Sequence, residues 1–107
     1  MHDVTVCTER EVPLRFGKRV SVDGIDIVLM RFHDSIRAFE NSCPHQRTNK
    51  MHEGVIYGDE IECPLHGWRF SLYDGSMQAR GVRLQMFACR VENGNVIVSL
   101  PDDVYLF

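Results

Sequence analysis

The residues best suited to chemistry lie in two short Cys-Pro segments. The first, CPH, begins at Cys43, and the second, CPLHG, begins at Cys63. Each segment brings a thiol and an imidazole close together, and the proline after each cysteine stiffens the backbone by fixing one dihedral angle. Two such loops can converge on one metal centre. The predicted ligands are two cysteines and two histidines: Cys43, His45, Cys63 and His66.

The ligand types leave the identity of the metal open. Two thiolates and two imidazoles suit tetrahedral zinc. They equally suit a [2Fe–2S] cluster in which two histidines replace two cysteines on one iron. The residue types alone do not separate these centres.

Length and composition indicate one ordinary globular domain over residues 1–107. Of the 107 residues, 44% are hydrophobic and 25% are charged. The formal net charge of −3 argues against nucleic acid as a partner. No stretch approaches the roughly 20 apolar residues that cross a membrane, and the start, MHDVTVCTER, lacks the apolar run of a signal peptide. We therefore expect a cytoplasmic protein without membrane or nucleic-acid partners.

Short apolar segments separated by turn residues predict an all-β fold. KRVSV and IDIVLMRF flank Asp23-Gly24, GVIYGDEIEC turns at Gly58-Asp59, and FACRVE and NVIVSL flank Asn93-Gly94. WRFSLY adds a further strand. SMQARGVRLQMFA has some helical propensity, but Gly81 interrupts it. The expected architecture is a small antiparallel β-barrel or sandwich, from which loops 43–54 and 63–68 project.

The other cysteines and histidines are expected to be structural or solvated. Cys7 and Cys89 lie inside predicted strands, where a free cysteine is a common core residue. A disulfide between them is disfavoured in a reducing compartment. His2, His33 and His52 are predicted to be surface residues. His52 is the one of interest because its loop also carries His45.

The sequence around both Cys-Pro segments resembles the Rieske family of [2Fe–2S] proteins, whose signature is Cys-x-His and then Cys-x-x-His-Gly. The likeness covers essentially the whole chain. VPLRFGKRVSVDGIDIVLMRFHDSIRAFENSCPH is similar to the family's strands and first ligand loop, ECPLHGWRFSLYDGSMQ to its second loop, and ACRVENGNVIVSL to its closing hairpin. The resemblance favours iron over zinc.

The resemblance implies one [2Fe–2S] cluster per chain, held in a cluster-binding subdomain of about residues 42–70. Cys43 and Cys63 would bind one iron, and His45 and His66 the other. Such an oxidised centre is neutral, whereas an all-cysteine centre is a dianion, so the mixed centre accepts an electron more easily. The reduction potential accordingly rises from about −400 mV to between about −150 and +300 mV.

Residues around the cluster predict a potential at the bottom of that range. Respiratory-chain Rieske proteins carry a disulfide clamp where this chain has Thr48 and Leu65. They also place two hydroxyl side chains near the cluster sulfurs, at the positions of Trp68 and Phe70 here. Hydrogen bonds to the cluster tune its potential, so their absence predicts about −150 mV.

Two segments depart from the family pattern, and the loop tips suggest a docking face. After His45, QRTNKMHEG replaces the usual glycine and apolar residue, and GSMQARGVRLQM lacks the family's shielding proline. A small, transient docking surface with an apolar centre and a basic rim is expected near the cluster. The residues predicted to dock a partner or to surround the cluster are Arg47, Lys50, Leu65, Gly67 and Trp68.

The resemblance implies an electron carrier rather than an enzyme. A flavin- and NAD(P)H-dependent reductase would supply one electron, and a terminal oxygenase of the ring-hydroxylating dioxygenase type would receive it. The chain leaves no room for a catalytic domain with its own mononuclear iron. Three alternatives stay open: the small subunit of an assimilatory nitrite reductase-like enzyme, an iron–sulfur sensor, and a zinc-stapled interaction module. The sequence does not identify the partners or the oligomeric state.

Overall fold

The structure is a computed structural model that describes residues 1–44, 47–65, 67–77 and 81–101. Short antiparallel strands dominate it, with 3₁₀ helices at Glu9–Glu11 and Met51–Glu53. No helix in the described ranges has the length and apolar character needed to span a bilayer. The strands are β1 (His2–Thr8), β2 (Lys18–Val22), β3 (Ile25–Phe32), β4 (Ser35–Glu40), β5 (Val55–Tyr57), β6 (Glu60–Glu62), β7 (Arg69–Ser71), β8 (Met86–Phe87), β9 (Cys89–Glu92) and β10 (Asn95–Leu100).

The described strands form three sheets stacked around two cores. The first sheet has the order β1-β10-β9, the central sheet β2-β3-β4-β8, and the third sheet β5-β6-β7. The core between the first and central sheets, here the sandwich core, comprises Val12, Ile25, Ile27, Leu29, Ile36, Ala38, Val96, Val98 and Leu100. The core between the central and third sheets, here the loop core, comprises Val28, Met30, Phe32, Phe39, Cys43, Met51, Ile56, Ile61, Cys63, Phe70, Leu72 and Leu84.

Strand β3 contributes to both cores, because the central sheet is covered on both faces. Ile27 and Leu29 point into the sandwich core, whereas Val28 and Met30 point into the loop core, and all four are fully buried. A strand buried on both faces needs a continuous apolar run rather than an alternating one. The sequence IVLM within β3 meets that need and places the loop core directly behind the central sheet.

The predicted hairpin turns are confirmed. Asp23 and Gly24 have φ of 51° and 80°, and Asn93 and Gly94 have φ of 52° and 78°. Two consecutive residues with positive φ define the type I′ turn that matches the twist of antiparallel strands. The turn at Gly58-Asp59 likewise joins β5 to β6. The turn residues therefore predicted correctly which neighbouring strands pair.

The architecture is the predicted sandwich and not the predicted barrel. Over the described residues the strands stay in separate sheets, each with free edges. The predicted strand FACRVE is also divided. Met86–Phe87 pairs with β4 in the central sheet, and Cys89–Glu92 pairs with β10 in the first sheet. One strand cannot pair in two sheets, so the chain crosses at Ala88, whose carbonyl accepts a hydrogen bond from Ser99 N–H at 2.9 Å.

One further expectation needs adjustment, and the interruption expected at Gly81 agrees with the described part of its segment. WRFSLY contributes only Arg69–Ser71 as a strand, because the following residues turn at Asp74 and Gly75. The segment SMQARGVRLQMFA forms no helix in its described part, and Gln78, Ala79 and Arg80 lie outside the described residues. The third sheet lies within the expected cluster-binding subdomain of about 42–70, whose status as a subdomain stays a prediction.

Gly75 provides a test of how tightly the chain packs after β7. Its φ is 78°, and an added Cβ would collide with the carbonyl oxygen of Leu84. Gly94 has the same φ but open space around it. We expect Gly94→Ala to cost about 1 kcal/mol of unfolding free energy through backbone strain, and Gly75→Ala to cost about 1–3 kcal/mol more through the collision. Denaturant unfolding measures both, and equal losses would contradict the packing described.

Candidate metal centre

The first Cys-Pro loop is closed by two backbone hydrogen bonds. The N–H of Cys43 donates to the carbonyl of Thr48 at 3.0 Å, and the N–H of Arg47 donates back to the carbonyl of Cys43 at 2.6 Å. Just outside the loop, Ser42 and Asn49 form an isolated antiparallel bridge. The loop is therefore a tight hairpin with Cys43 at its base.

The second loop repeats this design residue for residue. The N–H of Cys63 donates to the carbonyl of Trp68 at 2.7 Å, and the N–H of Gly67 donates to the carbonyl of Cys63 at 3.1 Å. Glu62 and Arg69 then pair as Ser42 and Asn49 do. The bonds again join a cysteine to the fourth and fifth residues after it. The matched sequence segments thus form matched backbone turns.

Both turns also use a left-handed residue at the fourth position after the cysteine. Gly67 fills this position in the second loop with φ of 74°, where glycine is free of steric cost. Arg47 fills it in the first loop with φ of 55°. A non-glycine residue there carries local strain. The first loop therefore tolerates strain to place an arginine beside the site.

Both cysteine side chains lie in the loop core. Cys43 is fully buried and Cys63 is 1% exposed. Both belong to the same cluster of buried residues, and neither forms a disulfide. By contrast, Pro64, Leu65 and Gly67 are exposed. Paired, unbridged thiols at the base of two exposed loops fit the sulfur side of a mixed sulfur–nitrogen metal centre.

His45 and His66, the predicted nitrogen ligands, lie outside the described residues. Within the described ranges, no group of three or more Cys, His, Asp and Glu side chains gathers as a metal site. The structure thus brings together the two cysteines of the predicted ligand set. The assignment of the two histidines stays a prediction from sequence.

Two aromatic residues after the second loop pack against the same core. Phe70 is fully buried on β7, and Trp68 is partly buried with its side chain against the loop core. Neither ring carries a hydroxyl. Trp68, which was predicted to dock a partner or to surround the cluster, packs against the loop core. The positions occupied by hydroxyl residues in respiratory Rieske proteins hold an indole and a phenyl ring here.

Asn41, which the sequence analysis did not single out, fixes the base of the first loop. It is fully buried and lies two residues before Cys43. Its backbone N–H donates to the carbonyl of Asp26 at 2.8 Å, and its carbonyl accepts from the N–H of Met51 at 3.1 Å. The side-chain oxygen of Asn41 accepts from the N–H of His52 at 2.7 Å. Asn41 therefore joins the start of the loop to β3 and to the segment that follows the loop.

The amide nitrogen of Asn41 completes a polar network. It donates to Asp26 Oδ2 at 3.1 Å and lies 3.0 Å from Nδ1 of His52. Asp26 also forms a bidentate ion pair with Arg19. Burial by itself would raise the pKa of Asp26, but the hydrogen bonds from Arg19 and Asn41 outweigh it and hold the pKa below 3.8. The ionised Asp26 carboxylate therefore stabilises the fold at pH values above 3.8, its ordinary pKa. This contribution is lost as the pH falls through the lowered pKa of the folded protein.

His52 is a member of this network and not the surface residue that was predicted. Its side chain is only 23% exposed, and its Nε2 lies 3.4 Å from the Glu53 carboxylate. Sequence offered little signal for the network, because an asparagine at the end of a strand is common in turns. His33 is confirmed as an exposed turn residue with φ of 55°.

Cys7 and Cys89 behave as structural thiols. Both pack against the sandwich core while remaining half-buried, and neither forms a disulfide. Burial raises the pKa of Cys89 to about 11, and nearby Cys7 adds to the effect. Burial likewise raises the pKa of Cys7. Protonated thiols are poor metal ligands and nucleophiles at neutral pH, so these two cysteines are separate from the candidate centre.

The residues predicted to dock a partner occupy different environments. Leu65 is 39% exposed at the second loop. Arg47 is exposed and forms no ion pair with a described residue, whereas Lys50 lies 3.3 Å from the Glu53 carboxylate. The basic rim predicted from Arg47 and Lys50 is therefore partly neutralised at Lys50.

Matched Cys-Pro turns that bury two unbridged cysteines fit the sulfur side of a mixed-ligand metal centre, and comparison with known proteins identifies the class. The model of the Rieske [2Fe-2S] domain family matches residues 2–88. The ferredoxin component of the naphthalene 1,2-dioxygenase system of Pseudomonas putida is 32% identical over 83 residues, or 76% of this chain and 79% of that protein. This chain belongs to the Rieske [2Fe-2S] domain family, and its cofactor is a [2Fe–2S] cluster.

Solved structures share the fold. A complex of reduced oxygenase and oxidised ferredoxin in carbazole 1,9a-dioxygenase contains a chain that is 30% identical, with a TM-score of 0.78 over 91% of this chain and 92% of that one. A Mycobacterium tuberculosis protein assigned as an NADH-dependent nitrite reductase small subunit gives a TM-score of 0.86 at 24% identity, covering 94% of this chain and 96% of that one. The latter likeness shows the fold alone.

The Asn41 network yields a prediction with a matched control. Asn41→Ala leaves Asp26 and the His52 N–H without a buried partner and opens a small cavity, so we expect a loss of about 3 kcal/mol in unfolding free energy. Asn49→Ala, at an exposed position in the same segment, should change stability by less than about 0.5 kcal/mol. Denaturant unfolding of the cluster-loaded proteins gives both values. A loss of the same small size in both variants would contradict the role assigned to Asn41.

Proposed function

We propose that this protein is a Rieske ferredoxin that carries single electrons from a flavin- and NAD(P)H-dependent reductase to a terminal oxygenase of the ring-hydroxylating dioxygenase type. One structural observation supports it above others: two turns of identical backbone design bury Cys43 and Cys63 in one core. The named relatives support the partner class, because the Pseudomonas putida relative is the ferredoxin component of a naphthalene dioxygenase system. The protein itself is an electron-transfer component and not the catalytic enzyme.

We assign Cys43 and Cys63 to one iron and His45 and His66 to the other. The cluster, when bound, supplies one-electron exchange at a centre that is neutral when oxidised. The chain's own contribution is to hold the ligands still. Closure of each loop by two backbone hydrogen bonds, together with Pro44 and Pro64, restricts ligand movement, so that little reorganisation accompanies a change of charge.

The surroundings of the cysteines support a low potential, near the −150 mV end of the Rieske range. Phe70 is buried in the loop core with Cys43 and Cys63 and has no hydroxyl to donate to sulfur. Without such donors, less electron density is withdrawn from the cluster, and reduction is less favourable. A low potential suits a carrier that passes electrons onward to an oxygenase.

The proposal also includes a cellular location and the boundaries of a subdomain. The cytoplasmic location is supported by the use of Cys43 and Cys63 as reduced ligands, as expected for a reducing compartment. The boundaries of the cluster-binding subdomain, about residues 42–70, follow the third sheet and the loops that lead into it. A second candidate function, the small subunit of a nitrite reductase-like enzyme, is favoured only by shared fold.

Spectroscopy of a ligand variant tests the proposed function. Protein purified without oxygen should be red-brown and contain two irons and two sulfides per chain. Cys63→Ser should be colourless with lower stability, because the loops lose the metal that joins them. Cys89→Ser is the control and should keep its colour, since the Cys89 thiol lies outside the loops. Colourless wild-type protein that binds zinc but no iron after anaerobic reconstitution would exclude the proposal.

The second prediction concerns the reduction potential. Phe70→Tyr places a hydroxyl in the core that holds both cysteines, so we expect the midpoint to rise by an amount on the order of tens of mV. Spectroelectrochemical titration measures it, with the wild type expected near about −150 mV. Phe87→Tyr, at a partly buried position against the sandwich core, which does not hold Cys43 or Cys63, is the control for added polarity alone. A wild-type midpoint above about +100 mV would contradict the low-potential assignment.

A further inference from the structure

Most of the described lysines and arginines contact a carboxylate, a carbonyl or an aromatic ring, and three arginines do not. Among the described residues, Arg19, Arg31, Arg69, Arg90, Lys18 and Lys50 each lie within 4.0 Å of a carboxylate. Arg15 donates to the carbonyl of Ile56, and Arg37 lies over the ring of Tyr73. The described arginines without such a contact to another described residue are Arg10, Arg47 and Arg83.

Arg47 and Arg83 line the same cleft, beside the first ligand loop. The cleft has a volume of about 290 Å³ and is lined by Glu40, Ser42, Pro44, Arg47, Val82, Arg83 and Gln85. Pro44 directly follows Cys43, and Val82 packs against the loop core that holds both cysteines. The cleft is therefore continuous with the base of the candidate centre.

The charges in the cleft favour an anion. The residues that line the cleft include two arginines and one acidic residue, Glu40, and no ion pair within 4.0 Å joins Glu40 to either arginine. Hydrogen bonds from Ser76 lower the pKa of Asp74, and the charge of Arg83 adds to the effect, but Asp74 does not line the cleft. The cleft is thus a locally positive site on a chain with a formal net charge of −3.

The backbone gives a second reason to regard Arg47 as selected for its side chain. Arg47 occupies the left-handed position that Gly67 fills in the matching loop. Glycine would relieve strain there, so the charged side chain is retained at a conformational cost. A guanidinium group is also the side chain best shaped to bind a carboxylate in bidentate fashion.

We propose that the cleft between Arg47 and Arg83 receives a carboxylate side chain of the protein that exchanges electrons with the cluster. The contact would orient the partner over the first ligand loop and speed encounter at low ionic strength. The proposal rests on the proposed function and sharpens it. Arg83, and not Lys50, is then the second basic docking residue, because Lys50 is already paired with Glu53.

Two small oxidants of opposite charge test the cleft without a known partner. The dithionite-reduced protein is mixed in a stopped-flow instrument with the carboxylate-bearing iron(III)–EDTA anion, or with the hexaamminecobalt(III) cation. One electron leaves the cluster and reduces one metal ion, from iron(III) to iron(II) or from cobalt(III) to cobalt(II). The return of the cluster absorption on oxidation gives the rate.

Three variants and one control make the test specific. Arg83→Gln removes one charge, and Arg47→Gly removes the other while relieving strain, so both should keep the cluster. Each should slow oxidation by iron(III)–EDTA at least about threefold at low salt and speed oxidation by hexaamminecobalt(III). Glu40→Gln should have the opposite effects. Arg10→Gln removes an equally exposed charge elsewhere and should leave both rates unchanged.

The outcomes separate this inference from the proposed function. Protein without a reducible cluster would overturn the electron-carrier assignment itself. With a normal cluster, the cleft proposal fails if Arg83→Gln or Arg47→Gly changes both rates in the same direction or leaves them unchanged. It also fails if Arg10→Gln matches their effect, because the response would then reflect net charge and not the cleft.

Discussion

The structure depends on two turns that are closed by the same pair of backbone hydrogen bonds over one shared core. Each cysteine is held at the base of its loop by a bond from its own N–H and a bond to its own carbonyl. These bonds fix the direction in which each thiol points. Because both thiols lie in the loop core, the backbone arranges the two cysteine ligands, whereas Arg47, Leu65 and Gly67 on the same loops remain exposed.

The central sheet and the Asn41 network hold those turns in place. The central sheet is apolar on both faces, so it can back the sandwich core and the loop core at once. Asn41 then secures the first loop by bonding to Asp26 on β3 and to His52 after the loop. A buried amide that satisfies several partners locks one local geometry. The metal-binding end is thereby coupled to the rigid strands.

Electron carriers must combine rigidity at the redox centre with contacts that are brief. The bonded turns and the buried network provide the first property. The exposed loop tips and the small cleft beside the first loop suit the second, because a limited polar contact speeds encounter without binding tightly. Trp68 and Phe70 pack against the core that holds the cysteines, and neither side chain carries a hydroxyl.

The sequence by itself determined the ligand candidates, the Asp23-Gly24 and Asn93-Gly94 hairpins and the all-β class, since spacing, turn preference and alternation are local properties. The tertiary structure decided the features that depend on contacts between distant segments. It divided FACRVE between two sheets, because a strand can pair in only one, and it buried Asn41 against Asp26 and His52. It also placed Arg47 beside Arg83, residues far apart in sequence. Residues this far apart in sequence come together only when distant strands bury their apolar faces against one another. The sequence of a single segment therefore cannot predict such contacts.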